Sequence, residues 1–256
     1  MNLVAALMVA ALIPAPTPVA PEYVALGDSY AAGVGAHREG CGRSPAAHPE
    51  LFAAARGLSL VFAACTGATT VEVVEQTSRI TPETSLVTVT VGGNDAGFAD
   101  VMKTCALGSD STCEARVVTA ERFIRDELPA RLGRVEQAVR ARTSAPVVVL
   151  GYPRLFEPGG GLCLMTPNQR VALNRAADLL DETVEEWAGS SGFTFGDVRE
   201  TFAGHGVCGR DPWVNSVSIP VSHSYHPNAT GHRSGYLPVL ERVAPEVPTR
   251  ASASRS

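Results

Sequence analysis

The sequence predicts a single α/β domain, with a doubly wound central parallel sheet of about five strands flanked by helices. Three observations predict it. Short apolar runs rich in β-branched residues alternate along the chain with longer helical patterns, and strands separated by helices build βαβ units whose parallel sheet is covered on both faces. Several of the runs stop at glycine, at Gly27, Gly92 and Gly151, the punctuation expected where a strand gives way to a loop. The 256 residues are 45% hydrophobic and 18% charged, which is ample for one substantial core and too apolar for a disordered chain.

Residues 23–26 form the first short apolar run. A helical pattern over 45–56 leads to a second run at 58–64, and another over 69–78 leads to the third. That third run, Leu-Val-Thr-Val-Thr-Val over 86–91, is the strongest strand signal in the chain. A long helix over 114–142 follows, charged on one side, with Pro129 expected to break or kink it. The uninterrupted apolar run 147–150 is the fourth strand, 167–188 a helix, 193–195 a weaker fifth strand, and a last helix follows Pro227. The domain is expected over 21–246, with a fraying, Ser/Ala/Arg-rich tail at 247–256.

The first twenty residues carry no charged side chain and include an apolar stretch over 3–13. That is too short to span a bilayer and is expected to be a secretory signal segment, 1–20. No later stretch is long enough for a transmembrane helix, so no stable membrane insertion is expected. A net charge of -5 without any run of lysines or arginines argues against nucleic acid as a partner, since phosphate neutralisation needs a basic face.

The six cysteines, Cys41, Cys65, Cys105, Cys113, Cys163 and Cys208, include no Cys-x-x-Cys pair, so no metal knuckle is expected. Their even count beside a leader favours disulfides and an extracellular location. Six cysteines allow fifteen connectivities. Pairing neighbours in sequence, Cys41–Cys65, Cys105–Cys113 and Cys163–Cys208, closes the shortest loops.

In an open parallel sheet the ligand sits outside the carboxyl ends of the strands. The loops there read Gly27-Asp28-Ser29-Tyr30, Cys65-Thr66-Gly67-Ala68-Thr69 and Gly92-Gly93-Asn94-Asp95. Together they offer a hydroxyl, small residues with accessible N–H groups and an amide that donates without titrating, which is the equipment of acyl transfer. A serine needs a base. Of six histidines, His226, held before a proline in Ser-Tyr-His-Pro-Asn, is best placed; His37, His48, His205 and His232 are expected to be surface or capping residues.

The four blocks at Gly27–Tyr30, Gly67, Gly92–Asp95 and His226–Asn228 resemble, in order, those of the SGNH or GDSL hydrolases, with the nearest likeness to secreted actinobacterial GDSL lipases and esterases. Gly151-Tyr152-Pro153-Arg154, Asp211-Pro212-Trp213 and the six-cysteine pattern extend the likeness over most of the chain. The resemblance implies a flavodoxin-like three-layer sandwich. It makes Ser29 the nucleophile and His226 the base, with an oxyanion hole of the Ser29 and Gly67 backbone N–H groups and the Asn94 side chain. Asp28 is expected to organise the turn through its own hydrogen bonds. One position departs from the pattern. Where the family carries an acid three residues before the histidine, this chain has His223. A backbone carbonyl, with Ser224 the first candidate, is expected to orient His226 in a Ser–His dyad.

Other readings fare worse. The second glycine of a Gly-x-Ser-x-Gly elbow is missing, Gly33-Val34-Gly35 lacks the third glycine of a dinucleotide fingerprint, and His223-x-x-His226 lacks the partners of a zinc site. The expected protein is a secreted, monomeric carboxylic ester hydrolase, a lipase or esterase without metal or cofactor, acting on a small-molecule or lipid ester. A carbohydrate or xylan acetylesterase and a phospholipase are the alternatives, and a non-catalytic binding protein of the same fold is a distant one.

Overall fold

The computed structural model describes residues 19–36, 40–159 and 161–247. Apart from Val19, Ala20 and Val247, the expected leader and tail lie outside the described residues, as does His37.

Five strands form one sheet: β1 (Glu22–Gly27), β2 (Ser59–Phe62), β3 (Thr84–Thr90), β4 (Val147–Leu150) and β5 (Thr194–Gly196). Their order across the sheet is β2-β1-β3-β4-β5 and every pair is parallel. The register sets Tyr23 of β1 beside Leu60 on one side and Leu86 on the other, and Val149 of β4 between Val89 and Phe195. Val147, Val148, Val149 and Leu150 are all buried, because helices cover both faces of the sheet and leave no solvated side for polar residues.

The helices are α1 (Ser29–Ala32), α2 (His48–Arg56), α3 (Thr70–Gln76), α4 (Phe98–Leu107), α5 (Asp110–Asp126), α6 (Leu128–Arg140), α7 (Pro167–Ser190) and α8 (Leu237–Val243). α2 packs on α8 over one face; over the other, α3 packs on α6, α6 on both α5 and α7, and α5 on α7. The long helix expected over 114–142 is two helices, α5 and α6. They break at Glu127, and Pro129 falls in the first turn of α6, where its missing N–H costs no bond. α4 is not among the helices the sequence predicts. Its signal was present: Val101, Met102 and Cys105, spaced at three, four and seven residues from Phe98, form the stripe it buries. The last helix is entered through a π-helical turn, Gly231–Tyr236.

Three disulfides join Cys41 to Cys65, Cys105 to Cys113 and Cys163 to Cys208. Cys105–Cys113 staples α4 to α5, while Cys41–Cys65 ties the segment beyond α1 to the end of the β2 segment.

Candidate active site

The carboxyl ends of β1, β2 and β3 converge at one end of the sheet, and the chain turns sharply at each. At Gly27 φ is +134°, and a Cβ would stand 2.6 Å from the Thr90 carbonyl oxygen; only glycine lets β1 and β3 run this close before the chain turns. Gln76 of α3 clamps the same residue, its Oε1 accepting from Gly27 N at 2.7 Å and its Nε2 donating to Gly27 O at 2.9 Å. Asp28 then caps α1, accepting from the Tyr30 N–H at 2.9 Å. Ser29 is the first residue of α1, so its N–H has no carbonyl one turn earlier to bond.

The loop beyond β2 is pinned by Cys65 N donating to Gly27 O (3.0 Å) and Thr66 N to Cys41 O (2.9 Å). Gly67 has φ +78°, and a Cβ there would meet no protein atom within 4 Å. Its backbone angle, not crowding by the protein, is what demands glycine. Asp95 locks this loop to the one after β3, accepting from Thr70 N at 2.9 Å and Thr70 Oγ1 at 2.7 Å. Beside it, Asn94 donates one amide hydrogen to the Ala68 carbonyl at 3.0 Å, which leaves the other amide hydrogen available to a ligand.

His226 arrives from the far end of the chain. Its Nδ1 lies 2.9 Å from the Ser224 carbonyl oxygen and its Nε2 lies 2.7 Å from Ser29 Oγ. A carbonyl only accepts, so Nδ1 carries the proton and Nε2 is free to accept from the serine hydroxyl. The ring packs against Tyr30, 5.1 Å between centroids, and edge-on to Phe98 at 6.0 Å. Burial pulls the imidazole pKa down to about 4; the bond to Ser224 opposes that shift, and repulsion from His223 adds to it. The loop itself is fixed by Asn215 N donating to the His226 carbonyl and by Tyr30 Oη donating to the Tyr225 carbonyl at 2.6 Å.

No carboxylate reaches His226 in the described residues' hydrogen bonds and ion pairs. Asp197 is held by Arg199 at 2.7 Å, and Asp211 accepts from Trp213 Nε1 at 3.3 Å beside His205. Among the described residues no group of three or more histidines, cysteines or carboxylates is arranged to hold a metal ion.

Two expectations about histidine are corrected. His48 and His232 are not surface or capping residues: both are fully buried, their Nδ1 atoms 3.2 Å apart and both rings stacked with Tyr236. Burial holds both imidazoles below their ordinary pKa, and such neutral rings pack as aromatic core.

Residues that sequence reading missed complete the site. Tyr152, beyond β4, donates to Asp28 Oδ2 at 2.6 Å and accepts from Gly93 N at 3.2 Å. Applying the strand-end rule to the fourth strand as well as the first three would have found it. From Ser29 and Asn94 an apolar pocket runs inward between α4, α5 and α7, past Phe98 and Met102 to Ile124, Leu173, Ala176 and Leu180.

A GDSL-like lipase/acylhydrolase family model matches residues 25–234. The chain belongs to that family. It is a carboxylic ester hydrolase. Lipase 1 of Streptomyces coelicolor is 45% identical over 250 residues, covering 94% of this chain and 93% of its own. Among solved structures, an extracellular lipase from Streptomyces rimosus superposes with a TM-score of 0.84 at 46% identity. A phospholipase A1 from Streptomyces albidoflavus does so with 0.85 at 47%, and each comparison covers 88% of this chain and 100% of the other. This hydrolase differs from the family's four-letter signature at one place, with Tyr30 where the name carries leucine, and that tyrosine is spent on fixing the His226 loop.

Proposed function

We propose that the protein is an extracellular, monomeric lipase or esterase that cleaves acyl esters through a covalent acyl-enzyme on Ser29. His226 Nε2 removes the serine proton as Oγ attacks the acyl carbonyl carbon. The carbonyl oxygen becomes an oxyanion held by the Ser29 and Gly67 N–H groups and the Asn94 amide. Collapse breaks the C–O bond, and His226 returns its proton to the departing alcohol. Water then repeats the sequence against the acyl-enzyme, releasing the acid and restoring Ser29. Ser224 O keeps the imidazole in the required tautomer throughout, so the base works in a dyad. The observation that carries this reading is the Ser224 O to His226 to Ser29 hydrogen-bond line, at 2.9 and 2.7 Å.

The apolar pocket beside Ser29 favours substrates with an extended acyl chain over acetyl esters, because each methylene buried there contributes about 0.8 kcal/mol. The relatives named lipase and phospholipase A1 support the same class. Three disulfides and the relative named extracellular support secretion. A series of p-nitrophenyl esters from acetyl to palmitoyl tests the reading. Activity should extend to chains well beyond acetyl, and sharp loss beyond the shortest esters would favour an acetylesterase instead.

A further inference from the structure

We propose that Tyr152 is a positioning residue for this reaction: its buried hydroxyl fixes the turn carrying Ser29 to the loop carrying Asn94 and so sets the spacing of the oxyanion donors. The inference rests on the esterase reading above.

The sheet order makes the arrangement possible. β4 lies next to β3, and β3 next to β1, so a long side chain just past β4 can reach back across β3 to the end of β1. Tyr152 Oη does this, donating to Asp28 Oδ2 at 2.6 Å and accepting from Gly93 N at 3.2 Å. Asp28 directly precedes Ser29 and Gly93 directly precedes Asn94, so a single oxygen ties together the residues before two of the three donors. The second Asp28 oxygen accepts from Tyr30 N at 2.9 Å, which makes the carboxyl group the fixed point of α1 as well.

The phenol is held at both ends. Its own backbone N–H donates to Asp181 Oδ1 at 2.7 Å, its ring meets Tyr30 edge-on at 5.1 Å, and the preceding Gly151 carbonyl accepts from Tyr236 Oη at 2.9 Å. Tyr152 is 6% exposed and Asp28 2%. Burial and the neighbouring Asp28 push the phenol pKa well above its ordinary value, so the hydroxyl stays a donor at any pH where a histidine can act as base. Without that hydroxyl, Asp28 Oδ2 and the Gly93 N–H would be buried without a partner, and a loop movement is the way to satisfy them.

Such movement is what catalysis cannot tolerate. Oxyanion donors work when they converge within 2.7–3.1 Å of one developing charge, and a displacement of about 1 Å costs on the order of 100-fold.

The test is Tyr152→Phe, which removes the oxygen and keeps the ring, assayed on p-nitrophenyl butyrate. The expected result is kcat lower by roughly 10- to 100-fold with KM within about twofold. In an Asn94→Ala background the same change should cost no more than about threefold, because the donor it aligns is already gone. Equal losses in both backgrounds, or kcat within twofold of wild type, would overturn the proposal. Should Tyr152→Phe fail to fold, Asp28→Asn decides, since it disrupts the same bond at its other end and must show the same kcat loss and the same coupling to Asn94. Wild-type protein that hydrolyses no ester at all would defeat the esterase reading rather than this one.

Discussion

His226 Nε2 accepts from Ser29 Oγ at 2.7 Å across 197 residues of sequence, so the first and last loops of the domain meet in one hydrogen bond. Ser29→Ala should remove ester hydrolysis, lowering kcat by about 10⁴ or more. The variant loses one side-chain hydrogen bond, about 1 kcal/mol, and its melting temperature should fall by no more than ~4 °C. Differential scanning calorimetry beside a p-nitrophenyl ester assay checks both. A folded variant with full activity would remove Ser29 from the chemistry.

The proposed dyad makes a second prediction. Asp211→Asn and Asp197→Asn should keep kcat within a few-fold of wild type, because those carboxylates bond Trp213 and Arg199 and not the imidazole. Asp197→Asn should lower the melting temperature more, since it loosens a bidentate pair with Arg199. A kcat loss near 10⁴ in a folded Asn variant is the size expected for a triad acid, and would make that residue the acid.

What was legible in the sequence follows from what kind of interaction writes each feature. β4 was readable to its exact ends because a strand buried on both faces must be apolar at every position, as Val147–Leu150 is. The break between α5 and α6 was readable only as a kink at Pro129: the missing N–H is a local fact, but the junction at Glu127 depends on how α6 packs. The buried pair His48 and His232 left no trace at all, since a neutral imidazole in an aromatic stack has no sequence pattern of its own. The site divides the same way. Ser29, Gly67, Asn94 and His226 sit in loops whose glycines and proline announce them. Tyr152 and Asp95 follow strand ends, where the same rule reaches them, but their partners lie 124 and 25 residues away and that of Gln76 49 away, and no local pattern encodes which distant group a side chain bonds.

Asn94→Ala should lower kcat by roughly 10²–10³, the range for one lost oxyanion donor, with KM nearly unchanged. Its amide also donates to Ala68 O, so a small fall in melting temperature should accompany the loss. Steady-state kinetics on a soluble ester separates the two parameters, and a change confined to KM would reassign Asn94 to substrate binding.

Ala176 lines the apolar pocket from α7, together with Met102 of α4 and Ile124 of α5. Ala176→Phe should shorten the usable acyl chain. Hydrolysis of long-chain esters should drop by ~10-fold or more relative to butyrate, since each methylene excluded forfeits about 0.8 kcal/mol and losing two of them is worth roughly tenfold. A chain-length profile that keeps its wild-type shape would mean the acyl group lies elsewhere.

The last prediction concerns pH. In the proposed mechanism His226 must be neutral to accept the serine proton, and burial has pulled its pKa from 6.5 down to about 4. The sign follows directly: a base with a lowered pKa stays competent to lower pH, so the limb of kcat/KM that belongs to His226 should fall near pH 4 and not near 6.5. His223 repels the imidazolium and contributes to the shift. His223→Ala should therefore move that limb upward while leaving the plateau rate nearly unchanged, because His223 supplies no anion to the base. A second buried titratable group, the Asp28 carboxyl, complicates the profile. Burial pushes Asp28 up to about 7, opposed by its bonds to Tyr152 and Tyr30, so its proton is lost over the neutral range. A change in rate near pH 7 that disappears in Asp28→Asn would belong to Asp28, whereas a limb near pH 4 that moves in His223→Ala belongs to His226. If the wild-type limb lies at 6.5 or above and survives in Asp28→Asn, the imidazole is solvated during catalysis, and the closed hydrogen-bond line from Ser224 to Ser29 does not describe the working enzyme.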